Sequence, residues 1–254
     1  MSPDHGFSDQ IEQLIVRRGE WPADGLFLEH YFRYRFAEKF TKNVVVLDCA
    51  CGTGYGTYLL SRKAKEIVGI DRSTEALKIA AENWTASNIR YLQLDIDHLE
   101  TIQEKFDVIV SFETIEHLAN AENFVGKSYH LLSQNGCFIV STPNKGIYRA
   151  EVEPNPFHLH EFSPAEFFNL LSKKFSQVEV FAQIKTEPIK THQDSIRGGA
   201  RLPFLSKFRI KLAAMLIRNP FGYFLYLLRM QKRFSVIGTQ DHQNYQYLIA
   251  VCRK

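Results

Sequence analysis

Three aspartates and three histidines are spaced along this sequence so that they could bind a nucleoside and move a proton. Asp48 closes the apolar run Val44-Val-Val-Leu-Asp48, and Cys49-Ala-Cys-Gly-Thr-Gly-Tyr-Gly56 follows. Glycines there let the backbone turn with φ > 0 and let a ligand lie against the main chain. Their spacing is G-x-G-x-G, not the G-x-G-x-x-G that aims backbone amides at a pyrophosphate. An acid ahead of the loop would repel pyrophosphate and could receive an ammonium group, directly or through water. Asp71 ends a second run, Glu66-Ile-Val-Gly-Ile-Asp71, where an acid is placed to bind a ribose diol. Asp95 ends a third, Arg90-Tyr-Leu-Gln-Leu-Asp95. A fourth, Phe106-Asp-Val-Ile-Val-Ser-Phe112, leads into Glu113-Thr-Ile-Glu-His117, and His158 and His160 stand in Asn155-Pro-Phe-His-Leu-His160. An imidazole of near-neutral pKa suits proton removal, so His117, His158 and His160 are the catalytic candidates.

These residues need a scaffold that brings strand ends together. Apolar runs alternating with helical stretches predict an α/β sheet. Strands are expected near 43–48, 66–70, 90–94, 106–112, 136–142, 176–183 and 245–252, with helices between the first six. A helical region is expected over about 9–40, interrupted near Trp21-Pro22. The stretch Ser73–Asn83 opens on a Ser or Thr cap and puts Ala76, Ile79 and Ala80 on one face. Ser163-Pro-Ala-Glu166 reads as a capping box, which gives Glu161 beside it a structural role.

Asp48-Cys-Ala-Cys-Gly-Thr-Gly54, Asp71, Asp95-Ile96, Phe106-Asp-Val-Ile-Val with Glu116-His117, and Leu131–Asn144 occur in one order and spacing. That order resembles the class I S-adenosylmethionine-dependent methyltransferases, over about residues 29–184 and the last strand. The resemblance implies a Rossmann-like sheet of seven strands, mostly parallel with the last antiparallel. It implies S-adenosylmethionine as cofactor, with Gly52 and Gly54 at its methionine part, Asp71 at the ribose hydroxyls and Asp95 with Ile96 at the adenine. Asp48, Ala50, Tyr55, Arg72 and Phe112 complete the expected cofactor set. Leu28-Glu-His-Tyr-Phe-Arg-Tyr-Arg-Phe-Ala37 is similar to the E-H-x-x-R-Y-x-F-A pattern of methyltransferases found with glycan and cell-envelope biosynthesis. There it caps the cofactor, which adds Arg33 and Tyr34 to the set; the competing reading is an ion pair with core aromatics.

The pattern E-x-x-E-H with a later H-x-H-x-F also resembles two metal-assisted groups, the small-RNA 2′-O-methyltransferases and the quinone-biosynthesis O-methyltransferases. Carried over, Glu113, Glu116, His117 and His160 would hold Mg²⁺, Mn²⁺ or Zn²⁺, with His158 and His160 not separable by sequence. Many methyltransferases carry Glu-His after the fourth strand without a metal, so the cation is an open alternative.

Composition fits an ordinary globular chain of 254 residues, with 45% hydrophobic and 23% charged residues. No run reaches about 18 apolar residues, and the first residues lack a basic-then-apolar signal, so a cytoplasmic location is expected. Cys49 and Cys51 form a C-x-C without a second pair at zinc spacing, and all four cysteines read as small buried hydrophobes. The net charge of +3 hides an asymmetry: 197–233 holds nine Lys or Arg and no acid. Around Leu205–Arg218 this segment is amphipathic, which suits a lid over the acceptor site, a peripheral membrane contact or a packed helical pair better than a nucleic-acid surface.

One domain is expected over 1–254: a helical cap (1–42), a cofactor-binding core (43–184), a basic amphipathic helical insertion (185–240) and a final strand (241–254). The expected reaction is methyl transfer to a hydroxyl of a sugar, glycolipid or related small metabolite. RNA ribose is the alternative acceptor, and a scaffold that has lost its activity the non-enzymatic one.

Overall fold

The run Val45–Cys49, opened by two β-branched valines, forms β1 in the interior of a sheet, flanked by β2 (Glu66–Asp71) and β4 (Phe106–Ser111). The remaining strands are β3 (Ile89–Gln93), β5 (Leu132–Pro143), β6 (Gln177–Gln183), β7 (Val236–Gly238) and β8 (Tyr247–Arg253). This computed structural model describes residues 15–16, 25–147, 155–183, 236–238 and 245–254. The strand order is β3-β2-β1-β4-β5-β8-β6-β7. The first five strands run parallel, and β8 enters antiparallel between β5 and β6.

The sheet corrects the expected strand count. Eight strands are present among the described residues, because Val236–Gly238, placed by the sequence in a helical insertion, pairs antiparallel with β6. A short Val-Ile run fits such an edge and covers part of the backbone of β6. The rest of the insertion, including 197–233, lies outside the described residues, as does most of the N-terminal region before Gly25. The final strand is antiparallel, as expected.

Helices cover both faces. On one, α1 (Gly25–Ala37) and α2 (Tyr55–Ser61) bury Tyr34, Phe36, Leu59 and Leu60 against Val46, Ile67, Val110 and Ile139. On the other, α4 (Ala121–Leu131) and α5 (Pro164–Ser172) bury Phe124, Leu131, Phe167 and Leu171 against Leu47, Ile70, Phe138 and Leu248. Between β2 and β3, α3 (Thr74–Asn83) starts where the Ser73 side chain accepts from Ala76 N–H. The capping box at Ser163 and Glu166 forms with both hydrogen bonds. All four cysteines are free and buried. Among the described residues no helix is long and apolar enough to cross a membrane.

The chain leaves β1 toward β2 on one side and returns to β4 on the other. The carboxyl ends of β1 and β4 therefore form the crevice where open α/β sheets place their ligands.

Candidate active site

The loop after β1 is built from left-handed backbone. Ala50, Gly52 and Gly54 have φ of 57°, 54° and 83°. Gly54 N–H returns to Cys51 O at 3.1 Å, and Cys51 N–H reaches Ile70 O at 2.9 Å, which pins the loop to β2. At Gly54 an added Cβ would stand 2.6 Å from Ala80 Cβ, so the turn needs glycine for both conformation and space. At Gly52 a Cβ would meet nothing within 4 Å. The main chain there borders open space, as close approach of a ligand requires.

Two acids frame that space. Asp71, at the tip of β2, accepts Gly52 N–H at 2.8 Å and Ser73 N–H at 2.9 Å. Asp48, at the tip of β1, is fully buried and accepts from Thr57 Oγ1 at 2.6 Å and from the Tyr34 hydroxyl at 3.2 Å. Burial pushes the Asp48 carboxyl up to about 7, against the pull of those two hydroxyls toward the anion. A left-handed loop with open space beside it and a carboxylate holding its backbone fits the methionine and ribose parts of S-adenosylmethionine.

Tyr34 reaches Asp48 only because α1 lies close on α2. A Cβ on Gly56 would fall 2.0 Å from the Tyr34 ring. Gly56→Ala is therefore expected to cost about 3 kcal/mol by overpacking and to displace Tyr34, read as a lower urea midpoint. A midpoint equal to wild type would mean that α1 is not seated this tightly.

The other expected cofactor residues lie around the same edge. Tyr55 begins α2 with its ring 5.6 Å from that of Tyr34, and Phe112 packs edge-on at 5.0 Å from the same ring. Asp95 caps a short 3₁₀ turn by accepting Asp97 N–H at 2.9 Å, with Ile96 half-buried beside it. Arg72 is exposed. Arg33 points into the protein: it is fully buried, with Nη1 2.8 Å from Glu113 Oε1 and Nε donating to Gln183 Oε1 at 2.8 Å.

Beyond β4 the chain takes an unusual step. Glu113 has φ of 50°, and its N–H donates to Ser141 Oγ at 3.2 Å while its carboxylate accepts from the same hydroxyl at 2.7 Å. The following 3₁₀ turn, Ile115–His117, buries Glu116 completely. Among the described residues no hydrogen bond of ordinary geometry reaches either carboxyl oxygen of Glu116, although the nearby Thr142 hydroxyl favours its anion. Burial, then the neighbouring Glu113, push its pKa well above the usual carboxylate range.

The segment after β5 doubles back onto this turn. Leu159 and His160 both donate backbone N–H to Glu116 O, at 2.9 and 3.0 Å. That register turns the His158 side chain inward and leaves His160 exposed, 4.5 Å from the Phe162 ring. One ligand atom from each of Glu116, His117 and His158 falls within 4.8 Å of the others. Of the expected four-residue metal set, only Glu116 and His117 fall within this group among the described residues. His158 joins the group in place of His160, and Glu113 stays outside it, engaged with Arg33 and Ser141.

The hydrogen bonds also orient the rings. The carbonyl of Phe157 can only accept, so His117 Nδ1 carries the proton across 2.9 Å and the lone pair of the neutral ring lies at Nε2. His158 presents Nδ1 to Glu161 Oε1 at 3.2 Å and Nε2 to the Asn155 amide at 3.2 Å. Thr57, Ser141, Asn155 and Gln183 are supporting residues missed in the sequence, whereas Glu161, expected to be structural beside the capping box, holds His158. A polar residue closing an apolar strand was the available signal for Ser141 and Gln183. Thr57 had none beyond its proximity to the loop.

Known proteins share this sequence pattern and fold. The methyltransferase domain family matches residues 40–195. A protein of Mycolicibacterium smegmatis named a probable S-adenosylmethionine-dependent methyltransferase is 32% identical over 136 residues, 53% of this chain and 52% of its own length. A ubiquinone biosynthesis O-methyltransferase of Pelagibacter ubique is 30% identical over 116 residues, covering 45% and 48%. The chain thus spans about half the length of these curated relatives. A SAM-dependent methyltransferase of Archaeoglobus fulgidus has the same fold, with a TM-score of 0.59 at 16% identity over 90% of this chain and 94% of its own. Sequence and fold agree: with the family model matched over more than half of its length, the chain belongs to the methyltransferase domain family.

Proposed function

We propose that this chain transfers the methyl group of S-adenosylmethionine to a hydroxyl oxygen of a sugar, glycolipid or related small metabolite. The observation that carries this reading is the group of Glu116, His117 and His158 at the end of β4, next to the glycine loop of β1. Methyl transfer to oxygen needs in-line approach and a place for the hydroxyl proton. Holding both reactants in one crevice supplies most of the acceleration. His117 Nε2 carries the lone pair that accepts the proton, whereas the lone pair of His158 is engaged by Asn155. Asp71 takes the ribose hydroxyls, the backbone of Gly52 and Gly54 the methionine part, and Asp95 with Ile96 the adenine. The ubiquinone-type relative supports oxygen over nitrogen as the acceptor atom.

Glu116 and His117 also suit a divalent cation, a buried carboxyl beside an imidazole lone pair, and His158 completes the group where its Nε2 leaves the Asn155 amide for the ion. Such an ion lowers the pKa of a coordinated hydroxyl and fixes its direction. Wild-type protein is expected to show a Mn²⁺ binding signal by calorimetry that Glu116→Gln loses. No signal in the wild type would leave His117 as the only proton acceptor.

The acceptor atom is tested with methyl-labelled S-adenosylmethionine offered with a catechol, a glycoside with a vicinal diol, or a primary amine. Label is expected on the oxygen acceptors, reduced about 100-fold or more in His117→Ala. Label on the amine alone would sink the oxygen reading.

A further inference from the structure

Among the described residues Arg33 is the largest side chain buried to below 2% exposure, and it is held by ion pairs at its two terminal nitrogens, neither of which has a hydrogen bond of ordinary geometry there, and by a hydrogen bond at Nε. Glu113 Oε1 lies 2.8 Å from Nη1, Glu29 Oε2 lies 3.9 Å from Nη2, and Gln183 Oε1 accepts from Nε at 2.8 Å. The Tyr247 ring lies under the guanidinium, 4.5 Å from its carbon to the ring centroid. Gln183 turns its amide back to Glu29 O at 2.8 Å, so the loop of contacts closes on α1. Four elements meet at this one cation: α1, the end of β4, the end of β6 and the start of β8.

The residue it pairs with is the strained one. A non-glycine residue at φ 50° sits in a sparsely populated region and persists only where its surroundings determine it. Ser141 grips Glu113 from below through both backbone and carboxylate, and Arg33 grips it from α1. Three and four residues further on stand Glu116 and His117. Burial works against the charge on Arg33, but Glu113 leads a set of anions and aromatic hydroxyls that outweighs it and holds its pKa above the usual value.

We propose that Arg33 is a positioning residue: it holds Glu113 in its left-handed conformation and thereby aims the Glu116-His117 turn, instead of meeting the carboxylate of the cofactor. The proposal rests on the methyltransferase reading of the site. It gives the Glu29–Arg33 pair of α1 a task at the acceptor side of the crevice. A buried pair is costly to break from one side and cheap to remove whole, because the single change strands a charge.

The test is a double-mutant cycle on Arg33→Met and Glu113→Gln with three readouts. These are S-adenosylhomocysteine affinity by calorimetry, the urea midpoint, and the imidazole nitrogen resonances of His117, assigned with His117→Gln. Arg33→Met is expected to bind S-adenosylhomocysteine within about threefold of wild type. Both single variants should lower the midpoint, and the double variant should recover part of the loss. Each should move the His117 resonances in the same way, with no further movement in the double. A loss of affinity of about tenfold or more in Arg33→Met alone would make Arg33 a cofactor ligand and overturn the proposal. Unmoved or additively moved His117 resonances would overturn it equally. Should Arg33→Met fail to fold, Arg33→Lys keeps the charge but not the fork that holds Glu113 and Gln183 together. It is then read against the same criteria. Wild-type protein that binds no S-adenosylhomocysteine would remove the methyltransferase reading while leaving the resonance cycle intact.

Discussion

Asp71→Ala is expected to weaken S-adenosylhomocysteine binding at least about 100-fold. Each hydrogen bond from a ribose hydroxyl to a carboxylate contributes about 1.5–3 kcal/mol, so two together are worth about 3–6 kcal/mol, or about 10²–10⁴ in affinity. The same carboxylate holds Gly52 N–H and Ser73 N–H, so its loss also frees the loop and the start of α3. Asp71→Asn keeps an acceptor for one backbone group and should fall between wild type and Asp71→Ala. Calorimetry at matched urea midpoints separates the two effects. An affinity within about tenfold of wild type in a folded Asp71→Ala would remove Asp71 from the ribose.

The second large effect belongs to Asp48 and depends on pH. Its carboxyl titrates near 7 in the folded protein against an ordinary 3.8. Between those values the native state keeps a proton that the unfolded chain has lost. The sign follows: this group's contribution to stability is complete below about pH 4 and is lost as pH rises through about 7. The gap of about three units corresponds to about 4 kcal/mol across the window. Asp48→Asn cannot ionise and still offers an oxygen to Thr57 or Tyr34. It should therefore flatten the pH dependence of the urea midpoint between pH 5 and 7 by about one proton. At pH 8 it should be more stable than wild type by a few kcal/mol. Parallel pH profiles for the two proteins would show that Asp48 ionises normally despite its burial.

How much was legible in the sequence depended on distance along the chain. The β1 loop and the acids that close β1 to β3 were readable because strand, glycines and acid are neighbours. The capping box at Ser163 and Glu166 was local in the same sense. The partners of Glu113 were not, since they come from α1 and β5 and meet only through the sheet. His158 and His160 illustrate a finer limit. Two residues apart, they would share one face of an extended segment, but the turn closed by His158 N–H on Asn155 O and the backbone bonds of Leu159 and His160 to Glu116 O break that pattern and decide which histidine enters the site. The short β7 was hidden inside an insertion whose charge pattern pointed to helix.

The placement of β8 has a consequence for the order in which the molecule is assembled. Strands β1 to β5 pair in parallel with one another, and all of them lie within residues 45–143. β6 has no partner in that parallel group; it joins the sheet only through β8, which is synthesised more than sixty residues later. Gln183 at the end of β6 and Tyr247 at the start of β8 both touch Arg33. The N-terminal helix therefore waits for the C-terminal strand before its arginine is enclosed. Such long-range closure is a slow, late event in folding. A nascent chain that has already shaped its glycine loop still lacks the enclosure around Arg33, and so the grip on Glu113, until its last strand arrives.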